Sequence, residues 1–247
     1  MKTKPKVGFF DFTGCEGCQL TVLNLEDQLL DLLNLVEIVE FREVMTGQVD
    51  SLDIAFVEGS ITREQDVARL KEIRSRAGKL IALGACADMA GINALRVDTG
   101  PEGLRREVYA SDAPNLKTFS PRRIAEVVPV DGRLPGCPVD GQEFLSVLQA
   151  LLLDRKPVLP AFPVCVECKL AENACTFERG IVCLGPVVRG GCQAICIAGG
   201  DRCRGCRGLV DQPRSSPYRR ILEENGLGVD EILAEFRTFN IDGGDES

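Results

Sequence analysis

The 247-residue sequence contains no histidine. That absence excludes mixed cysteine–histidine zinc fingers, Rieske-type centres, His-based acid–base catalysis and Ser-His-Asp triads. Positive charge is also in short supply: 29 Lys and Arg stand against 37 Asp and Glu, a formal net charge of −8. Such a balance argues against a nucleic-acid or anionic-membrane partner. Long apolar runs are missing too. The longest, near Phe144–Leu153, is interrupted by Ser146 and Gln149 and is too short to span a bilayer. Met1-Lys2-Thr3-Lys4-Pro5 leads directly into the strand-like Val7-Gly8-Phe9-Phe10, with no secretory pattern, and Arg122-Arg123 lies too deep to act as a twin-arginine signal. A cytoplasmic protein is therefore expected.

Nucleotide-binding motifs are incomplete. Gly14-x2-Gly17 lacks the third glycine of a dinucleotide fingerprint, and cysteines take the turn where the pyrophosphate would sit. Gly185–Gly191 lacks the Lys-Ser/Thr pair of a phosphate-binding loop. No nucleotide is expected to bind.

Cysteine, by contrast, is abundant, with twelve residues. In a reducing compartment a disulfide framework is not expected, and CxxC pairs point to metal or redox work. Eight cysteines fall in one stretch: Cys165-x2-Cys168-x6-Cys175-x7-Cys183, then Cys192-x3-Cys196-x6-Cys203-x2-Cys206. Glycines separate them, and large apolar residues are too few to build a core, so bound inorganic centres are expected to fold the segment. Eight thiolates make two four-ligand sites, a count that iron–sulfur clusters and zinc both satisfy. The irregular x6, x7 and x8 gaps favour clusters. The preferred partition is sequential: Cys165, Cys168, Cys175 and Cys183 in one site, Cys192, Cys196, Cys203 and Cys206 in the other. Crossed ligation is the alternative.

The other four, Cys15, Cys18, Cys86 and Cys137, sit in a different context. Strand patterns are read at Lys6–Asp11, Leu35–Phe41, Leu52–Val57, Lys79–Leu83 and Glu126–Val130. Helices are expected at about Gln19–Leu33, from Thr62 through a Thr62-x-x-Gln65 capping box, and after Asp140, which caps with Glu143 three residues on. The stretch from Ala87 to Ile124 reads as mixed helix and loop. This strand–helix alternation predicts an α/β fold with a mostly parallel, doubly wound sheet. Each of the four cysteines then follows a strand, so residues far apart in sequence converge on the carboxyl edge, where open α/β sheets bind ligands. Glu16 and Glu58 lie beside that site, as proton relays or as helix caps. Pro157 and Pro160 mark a linker, dividing the chain into 1–156, holding the sheet, and 157–247, holding the cysteine-rich segment. Two short helices, Tyr218–Asn225 and Asp230–Phe239, and a frayed Asp242–Ser247 close it.

Cys15-Glu16-Gly17-Cys18, Val57-Glu58-Gly59-Ser60, Gly84-Ala85-Cys86-Ala87 and Gly136-Cys137-Pro138 resemble the small, electron-transferring subunit of nickel–iron hydrogenases. Cys165-Val-Glu-Cys168, Cys183-Leu-Gly-Pro, Arg-Gly-Gly-Cys192 and Cys203-Arg-Gly-Cys206-Arg-Gly are similar to the cytoplasmic branch of that family, the sulfhydrogenase, NAD(P)-coupled and heterodisulfide-reductase-linked enzymes. The resemblance covers about residues 5–240. It implies a flavodoxin-like sheet domain, a small cysteine-rich domain and three 4Fe–4S clusters in line. The proximal cluster would be at Cys15, Cys18, Cys86 and Cys137, facing a nickel–iron site on a large partner subunit. The distal cluster would be at Cys165, Cys168, Cys175 and Cys183, and the medial one at Cys192, Cys196, Cys203 and Cys206. Many relatives use histidine as one distal ligand, where this chain has Cys165. Some carry proline where Cys196 stands and hold a three-iron medial cluster, so Cys196 implies four irons. The implied activity is electron relay in reversible hydrogen oxidation, towards a flavin/NAD(P)-binding diaphorase or a ferredoxin-like iron–sulfur subunit. Two alternatives stand beside it: the quinone-coupling subunit of respiratory complex I, which has one cluster only, and a zinc-stabilised interaction module.

Overall fold

The computed structural model describes residues 4–95, 100–213 and 215–239. Five parallel strands form one sheet: β1 (Lys6–Asp11), β2 (Glu37–Phe41), β3 (Leu52–Glu58), β4 (Ala77–Leu83) and β5 (Gly132–Leu134), in the order β2-β1-β3-β4-β5. This is the flavodoxin-like order, whose ligand crevice opens at the carboxyl ends of β1 and β3, where the winding reverses. β1 and β3 are buried on both faces because helices cover both sides of the sheet.

On one face lie α1 (Gly17–Leu23), α2 (Asp27–Leu35) and α6 (Gly141–Leu152). Their Val22, Leu32, Phe144, Val147 and Leu151, with Leu25 of the turn between α1 and α2, pack on Val7, Phe9, Phe41 and Phe56. Phe9 stacks on Phe41 at 4.5 Å and on Phe56 at 5.2 Å between ring centroids, and Phe144 closes on Phe56 at 5.1 Å. α3 (Glu64–Arg76) covers the opposite face, with Leu70 and Ile73 packed against Phe10, Val57 and Leu80. A third core lies under the cysteine-rich segment, where Val164, Val182, Leu184, Val188, Tyr218 and Leu222 pack with Ala85 and Met89 of α4 (Gly84–Met89).

Several expected elements differ. The helix expected over Gln19–Leu33 is two helices, because Glu26 adopts φ 51° and redirects the chain. The break lets Val22, Leu25 and Leu32 reach one core and leaves Leu33 exposed. Leu35 ends α2 instead of opening β2. Thr62 does not cap α3. Its hydroxyl lies 2.6 Å from that of Thr13, the N-cap is Arg63, and an Arg63–Asp66 ion pair braces the first turn. The fifth strand is Gly132–Leu134. The stretch expected there, Glu126–Val130, instead continues from a 3-10 turn, Ile124–Glu126, as turn and loop, with Ile124 and Val128 buried in the α3-side core. Asp140 caps α6 as expected, its carboxylate accepting from the Glu143 N–H at 2.9 Å. The two C-terminal helices are α9 (Ser215–Glu224) and α10 (Val229–Arg237); Asp242–Ser247 lies outside the described residues. Between α4 and β5 runs α5 (Gly100–Tyr109), continued by a 3-10 turn to Asn115.

Candidate metal centres

Four cysteines reach the carboxyl edge from three strands. Cys15 and Cys18 follow β1, Cys86 lies in α4 directly after β4, and Cys137 follows β5. Glu58, the last residue of β3, is buried and accepts hydrogen bonds from the backbone N–H of Cys18 and of Gln19, both at 3.0 Å. Of the two roles weighed for Glu58, the structure displays the anchor of α1's first turn. Glu16 stands at the N-cap of α1 with φ 62° and makes no side-chain cap. The Ala85 N–H donates to the Gly136 carbonyl at 2.7 Å, tying the loops that carry Cys86 and Cys137. Gly84 fits this crowding: a Cβ there would lie 2.4 Å from Cys18 Sγ, at φ +84°.

Cys18, Cys86 and Cys137 are all raised above the ordinary thiol value. Burial pushes Cys86 up to about 12, reinforced by Cys137, Cys15 and Glu58. Burial and then the Cys15 and Glu58 charges raise Cys137, and Cys18 is driven up by burial and by Glu58.

The remaining eight line two cavities. Cys165, Cys168, Cys175 and Cys183 surround one of about 80 Å3, with Gly185 at its wall. α7 (Val164–Leu170) supplies the CxxC pair from adjacent turns. A Cβ on Gly185 would meet Cys165 Sγ at 3.3 Å and Cys183 Sγ at 3.4 Å, so two of these sulfurs approach one point of backbone. Cys192, Cys196, Cys203 and Cys206 surround a second cavity of about 310 Å3, which Cys137 also lines. Cys196 enters it from the short helix α8 (Ile195–Ala198).

Two contacts connect the sets. Cys137 stands at the wall of the Cys192–Cys206 cavity, and the Cys203 N–H donates to the Cys183 sulfur at 3.3 Å. In space the order is thus Cys15/Cys18/Cys86/Cys137, then Cys192–Cys206, then Cys165–Cys183, the reverse of the sequence order for the last two. Among the described residues no three cysteines or carboxylates stand at the mutual distances a single metal ion requires. Sulfur-only donors around open space, walled by glycines, fit a polynuclear iron–sulfur centre. Burial raises Cys165 to about 11, helped by Cys183, and raises Cys206 to about 12, opposed by the Cys137 N–H. Thiols so placed hold their protons alone and release them to a bound cation.

Sequence reasoning missed the side chains that fasten these loops. Arg207 is almost fully buried and bonds the Gly190 carbonyl, the Pro135 carbonyl and both oxygens of Glu143. Glu167 accepts from the Gly191 N–H at 2.7 Å. The one sequence signal was the position of Arg207, directly after Cys206.

Residues 15–151 match the family described as NADH ubiquinone oxidoreductase, 20 Kd subunit, a span that ends before the eight C-terminal cysteines. Sulfhydrogenase 2 subunit delta of Pyrococcus furiosus is 39% identical over 236 residues, covering 95% of this chain and 98% of that protein. A vhu-type subunit of the F420-non-reducing hydrogenase of Methanocaldococcus jannaschii is 34% identical, covering 84% of this chain and 83% of that protein. Among solved structures, an NAD+-reducing [NiFe]-hydrogenase in the H2-reduced state aligns with TM-score 0.58 and 29% identity, over 64% of this chain and 96% of that one. A [NiFeSe] hydrogenase chain from Desulfovibrio vulgaris Hildenborough shares the fold, with TM-score 0.56 at 18% identity over 88% of this chain and 98% of that one. The chain belongs to this oxidoreductase family and, within it, to the iron–sulfur small subunits of nickel–iron hydrogenases.

Proposed function

We propose that this subunit relays electrons through three 4Fe–4S sites. Cys15, Cys18, Cys86 and Cys137 would hold the proximal one, Cys192, Cys196, Cys203 and Cys206 the medial one, and Cys165, Cys168, Cys175 and Cys183 the distal one. The observation that carries this reading is the spatial order of the three sets, with Cys137 at the wall of the Cys192–Cys206 cavity and Cys203 bonded to Cys183. Clusters bound there would supply one-electron redox chemistry, at potentials tuned by hydrogen bonds to the sulfurs and by solvent access. The protein's part is to hold the thiolates, exclude water and direct N–H dipoles at the sulfurs. Glu58 fixes the turn bearing Cys18, and the third apolar core shields Cys168, Cys183 and Cys203.

The carboxyl edge leaves Cys15 and Cys137 exposed. A large subunit carrying the nickel–iron site would cover that edge. Electrons would leave from the distal set to a flavin/NAD(P)-binding or ferredoxin-like partner. The chain would divide near 156/157 into a sheet domain and an iron–sulfur domain. Among the described residues no helix is long and apolar enough to cross a membrane, and a cytoplasmic, reducing setting suits twelve free thiols. Iron and acid-labile sulfide analysis of the anaerobically isolated complex tests the reading. About twelve of each attributable to this chain are expected, and stoichiometric zinc with little iron would overturn it.

A further inference from the structure

Arg207 is the largest side chain that the fold buries almost completely, and it follows Cys206 directly. A buried guanidinium must have its charge paired and its donors used, and this one divides its bonds among two loops and the first turn of α6. Nε donates to the Gly190 carbonyl at 2.7 Å, two residues before Cys192. Nη1 donates to the Pro135 carbonyl at 2.7 Å, two residues before Cys137. Nη2 donates to both oxygens of Glu143, at 2.7 and 2.8 Å, on the first turn of α6 in the sheet domain. Gly191 is pressed over the pair: a Cβ there would lie 2.4 Å from Nη2 and 2.7 Å from Glu143 Oε1. The loops so gathered carry Cys137 from one cysteine set and Cys192 and Cys206 from the next.

We infer that Arg207, braced by Glu143, is the positioning residue that sets the junction between the proximal and medial sites, holding the Cys137 loop against Cys192 and Cys206. The inference rests on the three-site reading above. Lysine keeps the charge but has no planar fork, so it cannot hold three carbonyl and carboxylate groups in these directions at once. A misplacement of a fraction of an ångström at such a junction changes a distance-sensitive step without emptying either site.

The test uses the whole complex, with Arg207→Lys and, on the other side of the clasp, Glu143→Gln. Iron content, the magnetic interaction between neighbouring reduced centres in paramagnetic resonance, and the rate of acceptor-linked electron transfer are measured together. Arg207→Lys is expected to keep its iron, to alter the magnetic interaction, and to slow transfer by about tenfold. Glu143→Gln should shift both readouts in the same direction by less. If both variants keep the wild-type interaction and rate, the inference fails. It also fails if iron content falls in step with rate in both, because Arg207 would then serve folding alone. A wild-type complex lacking two distinguishable reduced iron–sulfur signals would instead overturn the three-site reading itself.

Discussion

Arg207 Nη1 donates to the Pro135 carbonyl at 2.7 Å, joining the residue after the last cysteine of the chain to a loop of the sheet edge. Cys137, two residues further along that loop, lines the Cys192–Cys206 cavity. The cysteine-rich segment is therefore packed directly onto the carboxyl edge of the sheet. Its own apolar core extends the same attachment through Ala85 and Met89.

Gly84 is the most constrained position at the first set. With a Cβ placed 2.4 Å from Cys18 Sγ on a φ of +84°, Gly84→Ala must displace that sulfur. The variant complex is expected to lose about four of about twelve irons, as one four-iron site empties. Iron analysis checks the loss, and resonance spectra should retain the signals of the other two sets.

At Gly185 the crowding is milder, since a Cβ would meet Cys165 Sγ and Cys183 Sγ at 3.3 and 3.4 Å. Gly185→Ala should keep nearly full iron and shift the signal of the Cys165–Cys183 set alone. Redox titration of the three signals measures it.

Tyr218 of α9 is buried and donates its hydroxyl to the Cys183 carbonyl at 2.6 Å. Tyr218→Phe keeps the ring packed against Phe236 but leaves that carbonyl unpaired. A destabilisation of about 1–2 kcal/mol is expected, read by thermal or denaturant unfolding of the anaerobic protein.

Buried Glu40 and half-buried Arg76 form an ion pair that joins α3 to β2, with further bonds from Arg76 to the Val49 carbonyl and to Glu72. Burial alone would raise Glu40, yet the Arg76 hydrogen bond and charge outweigh it and hold the carboxyl below its ordinary value of 4.5. A carboxyl depressed in the folded state contributes stability that is present above the unfolded value and lost as pH falls through the folded one. Glu40→Gln should cost roughly 2 kcal/mol near pH 7, less than a fully broken buried pair because Arg76 keeps two partners. The gap between variant and wild type in thermal unfolding should narrow only below about pH 4.5.

The sequence carried the parallel sheet because strands such as β3 and β4 are short, mostly apolar runs ending at a glycine or cysteine turn, as at Val57–Gly59 and Leu83–Cys86. It misplaced β5 because Glu126–Val130 reads as a short strand, whereas its Val128 packs with Ile124 in the α3-side core and the strand forms at Gly132–Leu134. Thr62 looked like a cap, but a hydroxyl from across the sheet edge, Thr13, competed for it. The grouping of the cysteines was legible because a histidine-free chain leaves thiolate and carboxylate as its candidate metal ligands, and the cysteines recur as CxxC pairs. Arg207 was not, because a lone arginine looks like a solvated charge until two loops and the first turn of α6 close around it.

The central claim is that three separate cysteine sets hold three centres, divided between Cys165–Cys183 and Cys192–Cys206 as the two cavities divide them. Paramagnetic resonance on Cys196→Pro and Cys165→Ser complexes tests it most directly. Cys196→Pro leaves three thiolates in its set and should convert one signal to a three-iron type, with loss of about one iron. Cys165→Ser should perturb a different signal and leave the Cys196 set intact. If both substitutions alter the same signal, the eight C-terminal cysteines are cross-ligated and the account of separate cavities is wrong.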